Sequence, residues 1–324
     1  MSELEIREAT PDDRGQIIDL LAASLGRDDD ERYRALYAWK HVENAFGPSP
    51  AWVAVDDGRV VAIRVFMRWE FDDGEVRRRA LRAVDTATHP DYQGRGLFTK
   101  LTRHGLAAAA EDGIDFVFNT PNDQSRPGYV KMEWQTVGRL PVSIRPPGPL
   151  SLARLARARV PAERWSVETD VGAPASTAFA DSAALDRLLD CRARDGRLTT
   201  ARSPEFYRWR YGTPLLHYRV VTAPGGLDRG FVVFRLRRRG PALEAAVGDV
   251  VAPAADARTA IRLLRAVRRS SGADYLIALG ARLPGFVPFP NQGPILTWRH
   301  VRAEPTAVPV LGALACTLGD IELF

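Results

Sequence analysis

Along the first 145 positions the apolar residues switch between a spacing of two and a spacing of three to four, and turn signals mark the switches. Leu4–Glu8 alternates as a short strand. Thr10-Pro11-Asp12-Asp13 then supplies an N-cap, a proline for the first helical position and acids for the first turn. Ile17, Ile18, Leu20 and Leu21 give the following helix one apolar face, and Tyr33, Leu36, Tyr37 and Lys40 predict a second helix over about Asp30 to Glu43. Trp52–Val55 and Val60–Phe66 flank Asp57-Gly58, a hairpin signal, and Asp72-Asp73-Gly74 turns the chain into a long strand through Leu81–Thr88. A helix from Gly96 to about Asp112, a strand at Asp115–Phe118, a short helix holding Tyr129 and a closing strand over Gln135–Ile144 complete the pattern. The predicted order is strand, two helices, three antiparallel strands, helix, strand, helix, strand.

Pro146-Pro147-Gly148-Pro149 breaks both helix and strand and marks a boundary. The pattern then repeats. Ala183–Arg194 corresponds to the first helix, Tyr207–Tyr211 echoes Tyr37–His41, and Tyr218–Thr222 with Gly230–Leu236 echoes the first hairpin. Ala245–Pro253 matches Ala83–Pro90 loosely, with Asp249 in the place of Asp85, and Ala257–Arg269 and Tyr275–Leu279 follow in order. The expected division is a first domain over 1–146, a basic linker over 147–164 and a second domain over 165–324.

Composition narrows the classes. Of 324 residues, 45% are hydrophobic and 26% charged, the balance of a soluble globular protein. No apolar run is long enough to span a membrane, and the acidic start MSELEIREATPDD is unlike a signal peptide, so a cytoplasmic location is expected. Cys191 and Cys316 form no CxxC or Cys/His cluster, so no metal is expected and reduced thiols are. The pI near 9.4 invites a nucleic-acid reading. However, the 45 basic residues are 42 Arg and 3 Lys, scattered through both halves. The dense clusters, Arg77–Arg79 and Arg235–Arg239, sit beside strand turns, where charge solvates an edge, so no nucleic-acid partner is expected. GxSxG, HExxH and EF-hand motifs are lacking.

The stretch Asp85–Lys100 reads as a strand, a glycine turn and a helix start, which would converge free backbone amides on one anion. Gln93-Gly94-Arg95-Gly96-Leu97-Phe98 lacks the lysine and hydroxyl of a nucleotide P-loop and the glycine spacing of a dinucleotide fingerprint. It resembles the pyrophosphate loop of the Gcn5-related N-acetyltransferases (GNAT). Asn122, followed seven residues on by Tyr129, is similar to that family's asparagine and thiolate-protonating tyrosine.

The resemblance is specific over about Leu81–Trp134 and architectural elsewhere. It implies an α/β (α+β) protein of two tandem acyl-CoA N-acyltransferase folds, each a mixed, mostly antiparallel sheet flanked by helices. It further implies pantetheine on the strand edge at Thr86, Ala87 and Thr88. The pyrophosphate would lie on the loop of Gln93, Gly94, Arg95, Gly96, Leu97, Phe98 and Thr99, with Asn122 and Ser125 on the cofactor side. Phe98 stands where the family usually has a small residue, and Glu133 stands where it has glycine. The repeat replaces the loop with Pro253-Ala254-Ala255-Asp256-Ala257, where Asp256 would repel a pyrophosphate, so one active site is expected.

Acyl transfer to an amine needs a placed thioester, a stabilised oxyanion, a deprotonated amine and a proton for the thiolate. Tyr129 is the candidate acid, since a phenol with an ordinary pKa of about 10 holds its proton at neutral pH. Asp85, a carboxylate in an apolar strand, is either the base or a structural hydrogen-bond acceptor, and Glu70 with water is the alternative base. His41, Glu43 and Asn44, after the second helix, are candidate acceptor contacts, and Glu70 is counted with the substrate-binding residues; Trp39 and Phe46 are core anchors and His89 a turn residue. Neither cysteine neighbours the site in sequence, so direct attack is the simpler route. The expected chemistry is transfer of an acetyl or other short acyl group from acyl-CoA to a small-molecule primary amine by a monomer or homodimer. Aminoacyl or longer-acyl transfer, or a non-catalytic acyl-CoA sensor or scaffold, are the alternatives.

Overall fold

The computed structural model describes residues 4–24, 30–145, 148–192, 195–254, 256–280, 283–302 and 309–321. Pro146, Pro147, Arg194 and Ala255 of the expected boundary, helix and loop lie outside them. The chain begins β1 (Glu5–Glu8), α1 (Arg14–Ser24), α2 (Glu31–His41), β2 (Ala51–Asp56), β3 (Arg59–Asp72) and β4 (Arg77–Thr88). It continues α3 (Leu97–Glu111), β5 (Phe116–Asn119), α4 (Arg126–Lys131), β6 (Gln135–Arg139), β7 (Val142–Arg145) and α5 (Pro149–Arg157). Next come β8 (Ala173–Pro174), α6 (Ala175–Ala178), α7 (Ser182–Asp190), β9 (Thr199–Thr200), α8 (Pro204–Gly212) and β10 (Arg219–Ala223). Then follow β11 (Gly226–Arg239), β12 (Ala242–Val251), α9 (Ala257–Ser270), β13 (Tyr275–Leu279), β14 (Val287–Phe289) and β15 (Ile295–His300). No helix among the described residues is long and apolar enough to cross a membrane.

Two compact units result, and neither is continuous in sequence. Unit 1 is Met1–Gly138 with Pro294–Leu311; unit 2 is Arg139–Gly293 with Gly312–Phe324. The sheet of unit 1 runs β1-β2-β3-β4-β5-β15-β6, and that of unit 2 runs β14-β7-β13-β12-β11-β10-β8. This corrects the expected closing strand over Gln135–Ile144 and the division at residue 146. Pro141 offers no N–H to a ladder, so the strand breaks there, and Val142–Arg145 joins the sheet of unit 2. The place beside β5 goes to β15, where Trp298 stacks on Phe116 at 3.6 Å between ring centroids.

Two features of unit 1 position its site. First, Arg64 faces Thr86 and Val65 faces Val84, so Asp85 is the extra residue of a β-bulge, at φ 28°. Second, β4 and β5 pair only over Ala80–Arg82 and Phe116–Phe118 and then part. Helix α3 covers this face closely: a Cβ on Gly105 would lie 2.4 Å from the Phe66 ring.

Unit 2 repeats the element order. In its bulge Val233 faces Asp249 and Phe234 faces Val247, which makes Gly248 the extra residue. Asp249 therefore corresponds to Thr86 in register, and the expected match with Asp85 is off by one. Counted back from the prolines at 90 and 253, the two strands already set Gly248 against Asp85, and it is the pairing of acid with acid that shifts the match by one.

Candidate functional site

The loop after β4 has the backbone that the sequence implied. Gly94 and Gly96 lie at φ 76° and 73°, where side chains are strained, and the space a Cβ would enter at each is open. Gly96 is the N-cap of α3, with no side-chain cap. Lys100 N bonds to Gly96 O, so the amides of Leu97, Phe98 and Thr99 precede the helical ladder and carry the positive end of the dipole. Arg95 lies over the Tyr92 ring at 4.5 Å and donates to Asp91 O, so its side chain braces the turn. Beyond Arg82, no strand among the described residues pairs with the β5 side of β4. Thr86, Ala87 and Thr88 lie along this edge, and Thr86 Oγ1 donates across to Ile63 O at 3.1 Å. An open extended edge running toward an uncapped helix start fits a ligand with an amide-bearing arm and a diphosphate, the makeup of CoA.

Tyr129 lies buried on α4. Asn122 Oδ1 accepts bonds from Ser125 N and Ser125 Oγ, both at 2.9 Å, and so organises the turn that starts this helix. The asparagine acts on the tyrosine through the backbone. Phe98 packs edge-on against Tyr129 with centroids 5.4 Å apart, and Trp134 does so from another side at 5.2 Å. Tyr129 Oη accepts from Arg64 Nη1 at 2.8 Å. Sequence reading missed Arg64, although a lone charge inside Val60–Met67 was the signal available.

Asp85 is not free to act as a base. Its Oδ2 accepts from the Lys40 ammonium and from His41 Nε2 at 2.7 Å, with the three side chains 14%, 6% and 2% exposed. Burial alone pushes the carboxyl up, but the Lys40 charge and the His41 bond more than offset it and hold the group well below the usual carboxylate range. The structural alternative fits this geometry. His41 is likewise committed: Nδ1 lies 3.0 Å from Ser49 Oγ, and burial lowers its pKa and keeps it neutral. Facing a carboxylate, Nε2 carries the hydrogen and Nδ1 accepts from Ser49. Asn44 is buried, with Nδ2 donating to Arg68 O and Oδ1 accepting from Phe46 N. Neither His41 nor Asn44 is therefore placed as an acceptor contact. Glu70 pairs with Arg77 at 3.4 Å near the far end of the hairpin, about 20 Å from Arg64 by strand rise, which removes it as an alternative base.

A cleft between α1 and α2 opens instead. Ile18, Leu21, Leu36, Tyr33 and Tyr37 give it apolar and aromatic walls, and Lys40 and Asp85 also line it. Burial, and then the Asp85 charge, push the Tyr37 phenol up to about 12. Trp39 is buried, Phe46 packs on Trp69 at 5.4 Å, and His89 meets Arg59 at 2.9 Å in the turn, as expected for two anchors and a turn residue.

In unit 2 the corresponding features are filled. The Asp256 carboxylate caps α9, accepting from Thr259 N at 3.1 Å. At the bulge Asp249 accepts from Tyr211 Oη at 2.6 Å and from Arg202 Nη2 at 3.0 Å, and Arg202 also meets Asp320 at 2.9 Å. Gly319 sits so close that a Cβ there would lie 2.0 Å from Tyr211 Oη.

Residues 5–137 match the family model of the acetyltransferase (GNAT) domain. Unit 1 is a GNAT domain, and the two mixed sheets flanked by helices are of the GNAT fold. Similar solved structures include a GCN5-related N-acetyltransferase from Anabaena variabilis (14% identity, TM-score 0.63, 93% of this chain and 73% of that one). Another, from Kribbella flavida, has 16% identity and a TM-score of 0.61 over 92% and 72% of the two chains. Eis1 from Mycobacterium abscessus has 17% identity and a TM-score of 0.55 over 92% and 74%. No curated protein matches the sequence.

Proposed function

We propose that unit 1 transfers an acetyl or other short acyl group from acyl-CoA to a small primary amine by direct attack. The observation that carries this reading is the uncapped start of α3 beside the parted β4–β5 edge, with a buried tyrosine on α4 reached by the same face of the sheet. Bound acyl-CoA supplies the activated thioester. The amides from Gly94 to Thr99 would hold its diphosphate, and the Thr86–Thr88 edge would pair with its amide arm. Water removes the proton from the amine, since Asp85 is already paired, and Tyr129 gives its own proton to the departing sulfur.

Calorimetric titration with acetyl-CoA tests the cofactor reading. One site per chain at micromolar affinity is expected. Two sites would mean that unit 2 also binds, and no heat with either acetyl-CoA or CoA would end the proposal. Release of CoA thiol on adding amines then separates an enzyme from a sensor.

A further inference from the structure

Arg64 is fully buried under α3, and no carboxylate among the described residues pairs with it. Nη1 holds Tyr129 Oη, while the buried Nε and Nη2 have no hydrogen-bond partner. Three rings face the guanidinium instead, Phe66 at 4.6 Å, Tyr129 at 5.3 Å and Phe98 at 5.6 Å. A buried cation without a counter-ion is expensive, and cation–π contacts recover only part of the cost. Packing alone would be served by methionine. The one strong bond that the cation makes is to the phenol oxygen, which locates its use. Phe98 is then explained as well: its ring closes the box around the guanidinium, and Gly128 gives it room, since a Cβ there would lie 3.1 Å from that ring.

We propose that Arg64 is the positioning residue for Tyr129, an inference that rests on the acyl-transfer reading above. With Nη1–H on one lone pair of Oη, the hydroxyl hydrogen is turned away from the guanidinium and left for the sulfur. In the step, the Tyr129 O–H bond breaks and an S–H bond forms on the departing thiolate. The electron pair stays on Oη beside the cation, which stabilises it until a proton returns from water.

The test is a double-mutant cycle on Arg64→Met and Tyr129→Phe, reading CoA thiol release from acetyl-CoA with 2-phenylethylamine as acceptor and with water alone. Arg64→Met is expected to lower kcat about 10–100-fold, as for a lost charge-assisted bond, with the acetyl-CoA Kd within about threefold. Once Tyr129 is Phe, Arg64→Met should cost less than about threefold more, because its effect runs through the phenol. Full additivity, or a rise in Kd matching the loss in kcat, would leave Arg64 a structural residue and overturn the inference. If Arg64→Met does not fold, Arg64→Lys carries the same cycle, with a smaller loss and the same non-additivity. Tyr129→Phe at the wild-type rate would remove the acid, and this role with it. A slow Tyr129→Phe beside an unchanged Arg64→Met would remove the Arg64 role alone. No thiol release from the wild type would overturn both.

Discussion

Asp85→Asn separates a structural carboxylate from a catalytic one. The wild-type carboxylate joins Lys40 and His41 inside the protein, and the side chains of all three are at most 14% exposed. Removing the charge from such a pair leaves the buried ammonium without its anion, a change that typically costs about 3–5 kcal/mol. For a unit of this size, at ~2–4 °C per kcal/mol, melting should fall by roughly 6–20 °C. The comparison belongs at pH 8, where His41 is neutral folded and unfolded.

The pH dependence gives the sign. Asp85 is depressed in the folded state, so its contribution is present above the unfolded carboxyl's pKa of about 3.9 and is lost as pH falls through the folded value. The gap between wild type and Asp85→Asn should hold from pH 5 to 8 and narrow only below about pH 4. Adding Lys40→Met should restore part of the loss, since removing both charges is far cheaper than removing one. Scanning calorimetry reads the melting, and calorimetric titration reads acetyl-CoA affinity in the folded protein. If Asp85→Asn melts within about 2 °C of wild type but loses kcat a thousandfold, the pairing argument fails and Asp85 is the base after all.

Further outcomes follow from single contacts. Gly96→Ala places a methyl in the open space over the loop at φ 73°, and should weaken acetyl-CoA binding at least tenfold by calorimetry while costing ~1–2 kcal/mol of stability. Gly105→Ala brings a Cβ to 2.4 Å from Phe66 and should destabilise unit 1 by about 1–3 kcal/mol in urea unfolding. Trp298→Ala removes the stack on Phe116 and should cost ~3–5 kcal/mol by the same method. His41 is held neutral by burial, so an unfolded His41 takes its proton first as pH falls below about 6.5; stability should drop there with a slope of ~1.4 kcal/mol per pH unit, and His41→Gln should flatten it.

Local chemistry was legible in the sequence and long-range pairing was not. The glycines at 94 and 96, the hairpin at Asp57-Gly58 and the Asn122–Tyr129 spacing each act within a few residues, so their signals survive in one dimension. The break at Pro141 was visible too, but its consequence was not: nothing local says that Val142–Arg145 leaves for the sheet of unit 2, or that Ile295–His300 pairs with β5. The same limit explains the polar residues after α2. His41 and Asn44 looked available because their partners, Asp85 and Arg68 O, lie 44 and 24 residues away.

The two bulges show how one framework supports a site in one unit and a filled core in the other. In unit 1 the extra residue is Asp85, whose charge is met by Lys40 and His41 from α2, so the bulge ties the strand to that helix while the β4 edge beyond it stays open. In unit 2 the extra residue is Gly248, and a Cβ there would meet the Tyr211 ring at 2.8 Å. Glycine lets Tyr211 approach, Asp249 one position on receives its hydroxyl, and Arg202 links that carboxylate to Asp320. The volume beside β12 is thus taken by side chains from α8 and by the turn over Leu318–Asp320. Gaining a glycine at the bulge and an aspartate at the helix start makes compatible changes: one admits protein into the cleft, and the other satisfies the amides that an anion would otherwise meet.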